Sequence, residues 1–127
     1  MTKMESISPN IFVKDLPATI AFYQKLGFSL TATVPESGDL VWAMMTWGEV
    51  TLMFQTFESL GEELPEISRQ DGGSLLFYIK VKNIREFLES IKDQVTVLKG
   101  LETTFYGATE FSILDNNHYV LTFAEDE

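Results

Sequence analysis

The chain has 127 residues, 45% of them hydrophobic and 13% aromatic, which suffices for one buried core and is too apolar for a solvated tail. Its net charge of -10 would repel phosphate backbones and anionic lipid surfaces, so neither nucleic acid nor a membrane is expected as a partner. The absence of cysteine excludes disulfides, thiolate metal sites and thiol chemistry, and with no hydrophobic signal region in MTKMESISPN a cytoplasmic location is expected.

ISPNIFVKD, from Ile7 to Asp15, reads as the first strand, with Ile7, Ile11 and Val13 on one face and Ser6, Ser8, Asn10 and Phe12 on the other. Asp15 then suits an N-cap and Pro17 the first helical turn. Leu16, Ile20 and Tyr23 keep helical spacing until Gly27 stops the helix. FSLTATV, LVWAMMTW and VTLMFQTF follow as three strands separated by Gly- and acid-bearing turns. The first half, residues 6–57, therefore has the order βαβββ. The faces taken by Trp42, Met44, Met45 and Trp47 are not assigned by the pattern.

Residues 58–73 are acidic and carry Gly, Pro and Ser, which predicts a connector with one irregular helical turn. SLLFYIKVK then predicts a strand. NIREFLESIK places Ile84, Phe87, Leu88 and Ile91 on one helical stripe behind a cap-like Asn83. VTVLKGL, FYGATEFSIL and HYVLTFAE complete a second βαβββ over 74–125. Asp15 overlays Asn83 at a shift of 68, and Phe54 overlays Phe123 at 69, so the chain reads as one domain, 1–127, built by internal duplication. The acids Glu58, Glu62, Glu63, Glu66, Glu125, Asp126 and Glu127 are expected to be solvated surface without a catalytic role. DGGS precedes a strand, so it does not form a phosphate loop at a helix start.

NIFVKDLPATIAFYQKLGF and EFSILDNNHYVLTFAE resemble the opening strand–helix and the closing hairpin and strand of the vicinal oxygen chelate superfamily. That superfamily contains glyoxalase I, extradiol dioxygenases and bleomycin-resistance proteins. The resemblance implies an α+β fold in which two βαβββ modules curl a mixed sheet around a cup, often completed in a homodimer. It places His118, the only histidine, at a hairpin position where the family usually has glycine. His118 can fill that position only by tolerating positive φ or changing the turn, and its neighbours Asp115, Asn116 and Asn117 have turn chemistry. A metal or catalytic role is not expected there.

Enzymes of the family bind a divalent ion through the first and last strands of each module. The resemblance maps those positions onto Ser8, Met53, Leu76 and Thr122. A thioether, an alkyl group and two neutral hydroxyls cannot offset the dehydration of such an ion, so neither metal nor another cofactor is expected. With those anchors, alternation assigns Ser8, Asn10, Phe12, Thr51, Met53, Gln55, Phe57, Leu76, Tyr78, Lys80, Tyr106, Glu110, Ser112 and Thr122 to the cup face.

The expected ligand contacts are Asn10, Phe12, Met53, Gln55, Phe57, Tyr78, Tyr106 and Glu110, a mixture of adaptable apolar and orienting polar groups; cup filling or a dimer contact is the competing reading. Lys80 is the expected partner of Glu110, whose carboxylate is costly to bury alone. The implied function is metal-independent binding of a small organic molecule, aromatic or cationic, by sequestration as in bleomycin-resistance proteins. The alternative is a metal-dependent lyase, isomerase or dioxygenase with an unconventional site at Glu110, Gln55 and Asn10; a third reading is a ligand-sensing or purely structural dimer.

Overall fold

A computed structural model describes residues 1–127 as eight strands and three helices. The chain divides into two compact units, Met1–Arg69 and Gln70–Glu127, and the division falls inside the expected connector.

In the first unit, β1 (Asn10–Val13), α1 (Leu16–Leu26), β2 (Ser29–Val34), β3 (Trp42–Trp47) and β4 (Val50–Thr56) appear in the expected order. The sheet order is β1-β4-β3-β2, with β1 and β4 parallel and the other neighbours antiparallel. Helix α1 starts and stops as its sequence dictates: the Asp15 carboxylate accepts the Ala18 N–H at 3.0 Å, and Gly27 closes the helix at φ 115. Tyr23, fully buried on α1, packs on Phe54 and Phe28 with ring centroids 4.9 and 5.5 Å apart. Ile11, Val13, Ala43, Met45, Leu52 and Phe54 form the sheet's side of this core. Burying these apolar side chains, at about 1.5–3 kcal/mol for each large one, is what holds the helix to the sheet.

Two expectations for this unit need correction, and two faces left open by the sequence pattern are assigned. The strand does not extend back to Ile7, which is 92% exposed. Pro9 offers its carbonyl to the Met53 N–H at 2.9 Å but has no N–H to continue the ladder, so β1 begins at Asn10 and leaves Ser6 and Ser8 outside it. Phe57 leaves the last strand and opens α2 (Phe57–Leu60), whose N-cap is Thr56 with its Oγ1 accepting the Ser59 N–H at 3.1 Å. Trp47 sits against Gly27 and meets Phe28 edge-on at 5.8 Å, whereas Trp42 pairs with Gln55 on the opposite side of the sheet.

The second unit repeats the plan with β5 (Leu76–Lys80), α3 (Ile84–Ile91), β6 (Thr96–Thr103), β7 (Ala108–Leu114) and β8 (Val120–Asp126), in the order β5-β8-β7-β6. Both sheets are mixed, four-stranded and open. Phe123 and Phe111 are buried with ring centroids 5.2 Å apart, and Phe87 of α3 lies 4.9 Å from Phe123. Equivalent positions follow from register. Asn10 pairs with Met53 as Tyr78 pairs with Thr122, and Trp42 opposes Gln55 as Glu110 opposes Ala124. The shifts of 68 and 69 seen in the sequence are thus the same strand pairing made twice.

Two further corrections concern acids at the end of the chain. Asn83 sits at φ 58 and makes no side-chain cap; the α3 N–H groups of Asn83 and Ile84 are taken by the Glu125 carboxylate at 2.9 and 3.0 Å. Nor is the tail merely solvated. Asp126 pairs with Lys80 at 2.5 Å, and Glu127 accepts the Thr109 hydroxyl at 2.5 Å.

Candidate functional site

Helix α3 covers one side of the second sheet, and the other side carries a cavity of about 290 Å³. Leu76 and Tyr78 reach it from β5, Glu110 and Ser112 from β7, Thr122 from β8, and Lys99 and Glu102 from β6. Its floor is tight: the buried hydroxyls of Ser112 and Thr122 lie 2.8 Å apart in a hydrogen bond, opposite one another in the β7–β8 register. Tyr106 enters from the turn before β7, correcting the expectation that it belongs to the strand.

Three residues expected to bind ligand come together here. The hydroxyls of Tyr78 and Tyr106 both donate to Glu110 Oε2, each at 2.5 Å. These two phenols, Tyr106 first, hold the Glu110 carboxyl below the usual carboxylate range against the opposing effect of burial. The bond to Glu110 holds Tyr78 well above the ordinary phenol range and raises Tyr106 as well. At neutral pH the cluster therefore contains an ionised carboxylate and two protonated phenols. A general base works best with a pKa near the operating pH, so this arrangement favours a fixed anionic anchor over proton abstraction.

Lys80 is not the bonded partner of Glu110. It pairs with Asp126, lies 5.6 Å from the centre of the Tyr78 ring, and acts on Glu110 only at longer range. Lys99 and Glu102, which pair at 2.8 Å, were absent from the expected lining. The β6–β7 register shifts between Val97 and Lys99 and again between Lys99 and Glu102, so a period of two cannot assign the faces of that strand.

The uncovered side of the first sheet brings together the other five expected residues. Asn10 Nδ2 donates to Gln55 Oε1 at 3.0 Å, and Gln55 Nε2 donates to Ser59 Oγ at 3.1 Å. Phe12 and Phe57 stack with centroids 6.5 Å apart, and Met53 lies between Asn10 and Met44 in the ladder. This face is amide and apolar where its counterpart in the second unit is charged and phenolic. Ser59 lies beyond Phe57, where the strand alternation ends, and the first turn of α2 brings its hydroxyl to Gln55.

His118 occupies the turn expected of it, exposed and at φ 67. The buried Asp115 carboxylate organises that turn by accepting the N–H groups of Asn117 and Tyr119, both at 2.8 Å. His118 Nδ1 lies 3.8 Å from Asp71 Oδ2, and no group of three or more His, Cys, Asp or Glu side chains in the chain is placed to hold a metal ion.

The family's metal-ligand positions do not fit a divalent ion. Ser8 precedes β1, Leu76 and Met53 offer no suitable donor, and the Thr122 hydroxyl is bonded to Ser112.

Two βαβββ units, each with a parallel pair formed by its first and last strands and a helix on one side, define a duplicated α+β protein of the glyoxalase and bleomycin-resistance fold. The family model for the Glyoxalase/Bleomycin resistance protein/Dioxygenase superfamily matches residues 5–123, and the chain belongs to that superfamily. Among solved structures, a hypothetical protein of S. aureus aligns at a TM-score of 0.78 and 16% identity, covering 98% of this chain and 95% of its own. A glyoxalase/bleomycin resistance protein/dioxygenase family enzyme of Burkholderia phytofirmans PsJN gives 0.77 and 21%, over 94% and 97%. A bleomycin-binding protein in complex with bleomycin gives 0.66 and 20%, over 98% and 100%. No curated protein matches the chain. None of the three helices is long and apolar enough to cross a membrane.

Proposed function

We propose that the protein binds a small organic molecule without a metal ion, and that the cavity of the second unit is its principal site. The observation that carries this reading is the convergence of Tyr78, Tyr106 and Glu110 on one cavity, where apolar ring surface adjoins a polar group that can fix orientation. Fold similarity to a bleomycin-binding protein supports small-molecule capture as a use of this scaffold. On this reading Asn10, Phe12, Met53, Gln55 and Phe57 supply a more apolar binding face on the first unit. On this reading the protein works in the cytoplasm as a homodimer, without nucleic acid or membrane partners, in keeping with its charge of -10.

A thermal-shift screen of a diverse organic library tests the proposal, because a ligand selective for the folded state raises the melting temperature with concentration. The expected hits are organic, and their effect weakens in Tyr106→Phe. Added Ni²⁺ or Mn²⁺ is expected to give no shift. A stoichiometric divalent ion in protein purified without chelator would overturn the metal-free reading.

A further inference from the structure

The Glu110 carboxylate is used unequally. Both phenols donate to Oε2, while Oε1 accepts no hydrogen bond from the protein. Each phenol has committed its single proton, so Tyr78 and Tyr106 present ring faces and oxygen lone pairs to anything approaching Oε1. The cations nearby are already engaged, Lys80 with Asp126 at 2.5 Å and Lys99 with Glu102 at 2.8 Å. Glu110 forms no ion pair of its own, and Lys80 and Lys99 act on it only at longer range, so the charged side chains lining the cavity, Lys99, Glu102 and Glu110, leave it an excess of negative charge. An anionic guest would meet that charge at close range, and a neutral one would gain no ionic attraction from it.

We infer that the guest is a small organic cation bearing N–H donors, an amidinium, guanidinium or primary ammonium group on a flat apolar body. This rests on the small-molecule reading above and names its ligand class. The N–H groups meet Oε1 in a charge-assisted hydrogen bond, and the apolar body lies along the exposed rings of Tyr78 and Tyr106. A volume of about 290 Å³ suits a ligand built around a single ring.

Calorimetric titration with three matched probes tests the inference: benzamidine, neutral benzamide, and benzyltrimethylammonium, a cation without N–H groups. Benzamidine is expected to bind the wild-type protein about tenfold or more tighter than either of the others. Glu110→Gln is expected to abolish that preference, whereas Tyr78→Phe, which keeps the charge, retains it. Equal affinity for benzamidine and benzamide overturns the cationic class while leaving the small-molecule site intact. Equal affinity for the two cations overturns the need for N–H donors. Failure of all three probes to bind overturns the inference, and the library screen then decides the broader reading separately. Should Glu110→Gln not fold, the wild-type preference alone supports or overturns the assignment.

Discussion

Glu125 caps the start of helix α3 from the far end of the chain, its Oε1 accepting the Ile84 N–H at 3.0 Å and its Oε2 the Asn83 N–H at 2.9 Å. These bonds, that to Ile84 first, hold the Glu125 carboxyl below its ordinary range. A carboxylate so depressed contributes stability that is present above its unfolded pKa and is lost as pH falls through the folded value. Glu125→Gln is therefore expected to lower the melting temperature by roughly a few degrees at neutral pH. Melting curves of both proteins should converge in acid, and a gap independent of pH would contradict the charged cap.

Gly72 has φ +71, and a Cβ placed on it would lie 2.5 Å from the carbonyl oxygen of His118. Gly38 has φ +90 with nothing within 4 Å. Gly38→Ala thus meets only the backbone penalty of about 1 kcal/mol, while Gly72→Ala adds a clash with main chain and should cost about 2 kcal/mol or more. Chemical denaturation of the two variants measures the difference directly.

Arg69 gathers four carbonyls of the segment before it, donating to Gly61, Glu63, Leu64 and Ile67 at 2.9, 2.5, 2.8 and 2.6 Å. A lysine ammonium cannot reproduce that planar fork. In Arg69→Lys, cleavage by a glutamate-specific protease at Glu62, Glu63 and Glu66 is expected to be roughly tenfold faster, since the segment opens more often. Unchanged cleavage would show that the segment is held by other contacts.

Tyr78 and Tyr106 should ionise later than free tyrosine on alkaline titration, because each phenol is bonded to a carboxylate. A raised phenol pKa gives stability present below the unfolded tyrosine value and lost as pH rises through the folded one. Glu110→Gln removes the negative charge, so the NMR signals of both rings are expected to titrate at lower pH in that variant. No movement would mean that the three side chains do not share a proton network in solution.

Local chemistry made much of this fold legible. Asp15, Pro17 and Gly27 mark α1 through interactions within a few residues, and the repeated βαβββ order could be read because apolar periodicity is set element by element. What escaped was non-local. The α3 cap comes from Glu125, 41 residues beyond Ile84, and nothing near Asn83 in the sequence indicates that it will adopt positive φ and leave the helix start to another strand. Tyr106 and Glu110 were singled out for the right face, but their bond depends on a turn, and the bulges of β6 hid Lys99 and Glu102. Lys80 and Glu110 share a face by alternation and have opposite charge, but Asp126, on the strand beside Lys80, takes its ammonium at 2.5 Å.

Asn10 and Tyr78, or Trp42 and Glu110, hold matching places in two ladders that each rest on their own helix-backed interior. Because each interior points away from its own open face, a side chain on that face can be exchanged by a single codon without disturbing the framework beneath it. Duplication has in this sense given one backbone plan two side-chain palettes, one amide and indole, the other phenol and carboxylate.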